Sequence, residues 1–266
     1  MEFVIKAKMK LLGSNHFKSI EVDPENNKFI IGDQSFHIND VQLDTPINGT
    51  VYGTLLNYKG ALEQLGNQVH EKPYVSPPKA PILYIKPANT FNRPSAGIPL
   101  PLGVTHLEIG ASLGIVIGKK AVALNEETAL NYIAGYTIGN DISIPHESLF
   151  RPAVSYKARD GFCPIGPWIV EKNQLNDPDN LTIRVYINDE LQQENSTKNL
   201  IRTVSRLLVD VTDFMSLNHG DVLLTGVPEN APLAKIGDKV RIEIEGIGSL
   251  ENVIVAEQSL IRRDAQ

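Results

Sequence analysis

"GDKVRIEIEGIGSLENVIVAE", residues 237–257, holds two short β-type runs, KVRIEIEG and LENVIVAE, that meet at a glycine-rich turn. Gly237-Asp238 stands just before the first run, and Gly220-Asp221 just before another, VLLTG, which suits hairpin turns. Working outward, the same texture recurs in "NLTIRVYIND" (180–189), in "SLGIVIGK" (112–119, stopped by Gly118) and in "TVYGTLL" (50–56). It recurs again near the start, in "FVIKAKMKLL" and "KSIEVDPENNKFIIGDQSFHI", with turns at Asp23–Asn27 and Gly32–Asp33. Helical signals are fewer. "NYKGALEQLGN" (57–67) has a helix-like period. "NEETALNYIAG" (125–135) predicts a helix with Asn125 as N-cap, glutamates in the first turn and Gly135 closing it. "NSTKNLIRTVSRLLVDVTDF" (195–214) predicts the best one, apolar at Leu200, Ile201, Val204, Leu207, Leu208 and Val211.

Strands outnumber helices and no regular βαβ alternation appears, so the fold class is α+β and β-dominated. Residues 1–47 read as a small β-rich appendage ending in the loop "DTPING", and residues 48–266 as the main domain. Between them and the central strands lies "EKPYVSPPKAPILYIKPANTFNRPSAGIPLPLG" (71–103), whose prolines forbid a helix and permit only edge-like strand. Loops this long usually frame a binding site or an interface.

At 266 residues the chain can bury roughly three quarters of its unfolded surface, so it needs no disulfide or structural metal to be stable. A net charge of −6 argues against non-specific nucleic-acid binding, which needs a basic face. A single cysteine, Cys163, excludes internal disulfides and multi-cysteine metal sites. "MEFVIKAKMK" has no signal-peptide pattern, and no apolar run approaches the roughly 20 residues of a membrane helix. The expected location is the cytoplasm, with no membrane partner.

Three dense stretches carry chemistry. "NDISIPHES" places Asp141, His146 and Glu147 close together after an apolar run. One aspartate is not a site for a hard cation, and an Asx turn at Asn140-Asp141 explains the pattern as well. "SYKARDGFCPIGPW" (155–168) sets Lys157, Arg159 and Asp160 before a tight turn. Lys157 reads either as an anchor for a carboxylate or enolate, or as a surface lysine paired with Asp160. Cys163, between Phe162 and Pro164, reads as buried filler with no adjacent base to make a thiolate. In "LLTG" the Thr225 hydroxyl and the Gly226 amide could cradle an anionic oxygen. Nucleotide loops, nucleophile elbows and HExxH motifs are absent.

Taken together, "LNYKGALEQ", "LYIKPANT", "GIVIGKKA", "YIAGYTIGNDIS", "KARDGFCPIGPW", "LTIRVYINDELQQ" and "GDVLLTGVPE…GDKVRIEIEGIGSLEN" resemble the fumarylacetoacetate hydrolase family, across roughly residues 48–256. "RPAVSYKARDGFCPIG" and "NDISIPHES" are most similar to the N-terminal half of its bifunctional isomerase/decarboxylases of hydroxyphenylacetate catabolism. The resemblance implies a mixed-sheet β-roll. It also implies a divalent cation, usually magnesium, held by a Glu-x-Glu pair and an aspartate, in an enzyme acting on carbon–carbon bonds beside a ketone. Asp141 falls on the third ligand, Lys157 on the pocket lysine, and Thr225 with Gly226 on the TG motif. The Glu-x-Glu positions, however, are Gly110 and Ser112. Glu108 lies two residues early, on the same strand face but roughly 7 Å along it. The family's lid base and its glutamate partner fall on Ala61 and Gln64, and the arginine that usually follows NDxS is Pro145.

An emptied cation site with an Asp141–Lys157 pair is therefore expected, with no metal or a weakly held magnesium. Three readings follow. The first is an active enzyme on a small anionic 2-oxo or dicarboxylate substrate: a 5-oxopent-3-ene-1,2,5-tricarboxylate decarboxylase or 2-hydroxyhepta-2,4-diene-1,7-dioate isomerase subunit. Lys157, Asp141 and Glu147 would act in catalysis, and Tyr58, Arg151, Arg159, Thr225 and Gly226 in binding. The second is a degenerate subunit pairing with a metal-bearing homologue. The third is a metal-dependent hydrolase or decarboxylase that recruits Glu108, Asp141 and Glu147 as ligands. A homodimer, or a heteromer with such a homologue, is the expected assembly.

Overall fold

The stretch at 237–257 folds as a hairpin because its alternation buries one side. Val240, Ile242 and Ile244 are fully buried, while Lys239, Arg241 and Glu243 face outward. Each such aliphatic side chain contributes roughly 1.5–3 kcal/mol by leaving water. A computed structural model of the chain describes residues 5–72, 75–146 and 153–258.

Five strands open it: β1 (Ile5–Leu11), β2 (Phe17–Asp23), β3 (Lys28–Ile31), β4 (Gln34–His37) and β5 (Leu43–Asp44). Next come β6 (Val51–Leu55), helix α1 (Lys59–Glu63), β7 (Ile82–Lys86), β8 (Phe91–Asn92), β9 (Gly97–Leu100), β10 (Leu107–Glu108), β11 (Ala111–Ile117) and β12 (Ile133–Asn140). After helix α2 (Val154–Lys157) follow β13 (Cys163–Glu171), β14 (Thr182–Ile187), β15 (Glu190–Ser196) and helix α3 (Val204–Thr212). The chain ends in β16 (Val222–Leu224), β17 (Leu233–Ala234), β18 (Lys239–Ile244) and β19 (Gly248–Ala256).

The large sheet runs β4-β3-β2-β1-β13-β12-β11-β16-β6-β7, with β5 on β1 and β8 on β13. A second sheet runs β15-β14-β18-β19-β9, and β10 pairs with β17. Both main sheets are mixed: β16–β6, β13–β8 and β19–β9 are parallel within otherwise antiparallel ladders. The large sheet curls on itself. Although β7 is four places from β12 in strand order, Lys86 at its end reaches the carbonyls of Ile142 and Phe162, which flank β12 and β13. This is a β-roll. The proline-rich loop supplies β7 and β9, each at the edge of a sheet, where a missing N–H costs no ladder bond.

The first 47 residues are stitched into the same sheet through β1 and β13, with Ala7 opposite Val170. Their core is continuous with the rest. Phe29 packs edge-on against Trp168, at 6.3 Å between ring centres, and the Trp168 indole donates to the Ile247 carbonyl at 2.7 Å.

Two helix expectations are corrected. Asn125 does cap a turn, accepting from the Thr128 amide at 3.0 Å, but only a 3-10 turn over Ala129–Tyr132 follows before Ile133 begins β12. Gly135 is no helix terminus. It lies within the strand, where a Cβ would overlap the Val170 carbonyl of β13. Of 195–214 only 204–212 is α-helix. Asn195 and Ser196 end β15, and Thr203 caps α3 by accepting from the Arg206 amide. Leu200 and Ile201 precede that cap in extended backbone: Leu200 bridges Tyr58, and the Ile201 amide donates to the Asn57 carbonyl at 2.7 Å.

Candidate active site

Where β12 leaves the core, its partner β11 is held by two bonds. The Asp141 amide donates to the Gly110 carbonyl at 2.8 Å, and the Gly110 amide to the Asn140 side chain at 3.1 Å. The Asp141 carboxylate is thereby turned into the roll, its side chain 1 % exposed. Lys157, the last residue of α2, donates to Oδ2 at 2.9 Å, and the Tyr84 hydroxyl of β7 donates to the same oxygen. On the other side Lys86 Nζ lies 2.7 Å from Oδ1. That contact is an ion pair outside hydrogen-bonding geometry, because the three ammonium hydrogens of Lys86 serve the carbonyls of Ile142, Lys157 and Phe162 at 2.9–3.0 Å.

Burial alone would push the Asp141 carboxyl up. The charges of Lys157 and Lys86, with the hydrogen bond from Tyr84, outweigh it and hold the group well below the usual carboxylate range. Burial and the adjacent Asp141 charge push the Tyr84 phenol well up, so it stays a neutral donor. The cluster is one carboxylate between two ammonium groups, a net single positive charge. Lys157, 14 % exposed and 5.1 Å above the Tyr84 ring centre, is its open side.

Lys157 therefore pairs with Asp141. Asp160 instead accepts from Asn89 at 2.7 Å. Arg159 folds back to donate to the Ser155 carbonyl at 2.9 Å, and among the described residues it does not reach Asp141 or Lys157. Glu147 and Arg151 lie outside the described residues. Cys163 is buried, and burial pushes its thiol up to about 12, as inert filler requires.

Beside this cluster lies a second group of polar atoms. Thr225 is fixed through its backbone, its amide donating to the Leu113 carbonyl and its carbonyl accepting from Asn57 at 2.8 Å. The Gly226 amide donates to the Ser112 hydroxyl at 3.2 Å. The side-chain oxygens of Thr54, Tyr58 and Thr225 are buried with no partner among the described residues, as is Glu229 Oε2. Unsatisfied buried polar atoms are rare in folded proteins and often mark places where a ligand or water belongs. Burial, then the Glu229 charge, push the Tyr58 phenol up, so it too is a neutral donor. Ala61 is small and partly buried, and Gln64 donates to Asn230 at 2.7 Å.

Lys86 and Tyr84 were not found by sequence reasoning. The usable signal was parity: in "ILYIK" residues 84 and 86 share one face, and a lysine there enters the core rather than solvent.

The residues present do not fit a divalent cation of the expected kind. At Gly110 a Cβ would overlap the Asp141 carbonyl and come 2.9 Å from Val227 Cγ2. Ser112 is engaged by Gly226, and both Asp141 oxygens already face cations. Among the described residues no group of three or more His, Cys, Asp or Glu could hold a metal.

Residues 50–255 match the family described as fumarylacetoacetate (FAA) hydrolase C-terminal. The chain is 40% identical over 216 residues to the 4-hydroxyphenylacetate degradation bifunctional isomerase/decarboxylase of Salmonella dublin, covering 81% of this chain and 49% of that protein. It thus spans about half the length of such curated relatives. Among solved structures it is similar to 2-hydroxyhepta-2,4-diene-1,7-dioate isomerase from Mycobacterium marinum, at 28% identity and a TM-score of 0.74 over 95% of this chain and 99% of that one. The 5-carboxymethyl-2-hydroxymuconate delta-isomerase from Mycobacterium smegmatis gives 29% and 0.72 over 95% and 98%.

Proposed function

The chain belongs to the fumarylacetoacetate hydrolase family, and from that premise we propose that it is an isomerase or decarboxylase of aromatic catabolism. Its substrate is a small unsaturated 2-oxo dicarboxylate or tricarboxylate, and it works without a divalent cation. The observation that carries this reading is Asp141 held between Lys86 and Lys157. A carboxylate whose two oxygens both face ammonium groups has little to offer a free dication, and the more exposed ammonium, Lys157, attracts an anion.

Isomerisation and decarboxylation of such acids share one demand: negative charge develops on the 2-oxo oxygen as an enolate forms. Lys157, the less buried ammonium, meets that charge. Asp141 and the Tyr84 ring keep it aimed, which is where fixed charge in a water-poor site lowers a barrier most. The Thr225 and Tyr58 hydroxyls offer further donors for the substrate's oxygens, while the Gly226 amide is already spent on Ser112. The test is turnover of an unsaturated 2-oxo dicarboxylate by the purified chain with and without EDTA. Equal rates are expected; complete loss with chelator refutes the metal-free reading.

A second reading is favoured by the half-length match to the curated relatives and by Gly110 and Ser112 standing where the resemblance leads one to expect two glutamates. In it the chain is a subunit that completes a metal-bearing homologue. Co-expression with such a homologue tests it: a homo-oligomer that ignores the homologue and turns over substrate alone dismisses the idea. A third reading, with Glu108, Asp141 and Glu147 as a replacement ligand set, is disfavoured by the ammonium groups on both Asp141 oxygens. Metal analysis of untreated protein that finds a stoichiometric dication would revive it.

A further inference from the structure

Any reaction through an enolate needs a group that takes a proton from carbon and gives it back. Asp141 is ill-suited. Two ammonium groups and a phenol stabilise its ionised form, so its basicity is spent on them.

A second carboxylate shares its face. Glu108 and Ser143 are bound backbone to backbone, at 2.8 Å and 3.2 Å, and two residues further along Asp141 is bound to Gly110. Directly opposed residues of an antiparallel pair project to one face, and so do residues two apart. Glu108, Gly110, Asp141 and Ser143 therefore line one surface, with no side chain at Gly110 to separate the two acids. The flanking Leu107 and Ile109 are fully buried on the opposite face.

Glu108 is half-buried, and among the described residues its carboxylate makes no hydrogen bond or ion pair. The titratable groups that face it are Lys157, His146, Asp141 and Tyr84. His146 is held against Tyr156, ring centres 5.0 Å apart, with Nδ1 2.9 Å from the Ile144 carbonyl and 3.2 Å from the Ser143 hydroxyl. Burial pushes the Glu108 carboxyl up. Lys157 and His146 oppose the rise without cancelling it, and this is the direction that suits a proton carrier near neutrality.

We propose that Glu108 is the proton-transfer residue of this site, acting on a 2-oxo diacid whose enolate oxygen lies beside Lys157. This rests on the reading of the site given above. The Glu108 carboxylate removes a proton from the carbon next to the ketone. The C–H electron pair becomes the enolate double bond, and the ketone oxygen takes the negative charge. The Glu108 carboxylic acid then delivers its proton to the far end of the conjugated system, the ketone re-forms, and the carboxylate is regenerated. The double bond has moved with no oxidant, reductant or co-reactant consumed.

The experiment uses the full chain with 2-oxoadipate as probe. Binding is followed by calorimetry, and loss of the C3 hydrogens to D2O by NMR against an enzyme-free blank. Glu108→Gln is expected to bind within threefold of wild type and to exchange at least ~100-fold more slowly, the usual loss of a general base. Glu108→Asp, which keeps the carboxylate, is expected to retain measurable exchange. It should also keep the wild-type acid limb, in which the rate falls as pH drops through the carboxyl's raised pKa. Glu108→Gln that exchanges within threefold of wild type overturns the assignment alone. So does Glu108→Asp as inert as Glu108→Gln, if both bind normally and unfold at the wild-type temperature. Wild-type chain that does not bind the probe overturns the reading of the site and this assignment with it.

Discussion

Replacing Asp141 with asparagine keeps the shape of the side chain and removes the one negative charge between Lys86, which is fully buried, and Lys157, 14 % exposed. Lys86 cannot swing out to water, because its ammonium is tied to three carbonyls. Removing one partner of a buried pair typically costs about 3–5 kcal/mol. That is a large share of the roughly 5–15 kcal/mol that holds a domain folded. At about 2–4 °C per kcal/mol for a chain of this size, the melting temperature should drop by roughly 6–20 °C.

The pH dependence gives an independent readout. In the wild type the Asp141 pKa is lowered on folding, so its stabilisation is present above the unfolded value near ~3.9 and is lost as pH falls through the folded one. In Asp141→Asn that acid limb disappears. Urea denaturation from pH ~2 to 7 follows that limb. A variant within ~1 kcal/mol of wild type at pH 7, with an unchanged acid limb, refutes the ion-pair account of this site.

Lys157→Met should leave Asp141 paired with Lys86, lower stability by less than Asp141→Asn, and reduce turnover by ~100-fold or more through loss of the enolate's cation; steady-state kinetics beside a melting curve separates the two effects. Gly110→Ala should destabilise by about 1–3 kcal/mol, since its Cβ would meet the Asp141 carbonyl and Val227, and denaturant midpoints would report it. Cys163 should resist thiol reagents at pH 8 in the native state and react on unfolding, because burial pushes its thiol up to about 12; fast native labelling would contradict its placement.

The β-dominated architecture was legible because alternation such as Val240, Ile242, Ile244 is a property of neighbours in the chain. Helix boundaries were less so. Leu200 and Ile201 fit a helical period only by accident of spacing, while the Thr203 cap and the bridge to Tyr58 decide where α3 begins. Gly135 was misread because only the approach of β13, more than thirty residues on, shows why a side chain is excluded there. At the site, Asp141 and Lys157 were visible as chemistry-bearing residues in short dense motifs. Lys86 was not, because its meeting with Asp141 follows from the curl that brings β7 back to β12, and no local pattern encodes that closure.

Charge counting then explains why Gly110 and Ser112, where the family resemblance leads one to expect two glutamates, need not silence the site. A dication among three carboxylates carries a net charge of minus one at its centre, and it works because the metal's open face is positive. Removing two carboxylates removes the field that would hold the dication. What remains is Asp141 with Lys86 and Lys157, and its exposed face belongs to Lys157; with an ionised Glu108 counted the group is neutral, so the pull on an anion is that of the Lys157 ammonium itself. An anion approaching that face meets attraction of the same sign by another route, weaker than a metal's but permanently attached to the chain. The cost is that an ammonium carries no bound water to ionise, so proton transfer has to come from a side chain, and Glu108 is the carboxylate on that face without a partner among the described residues.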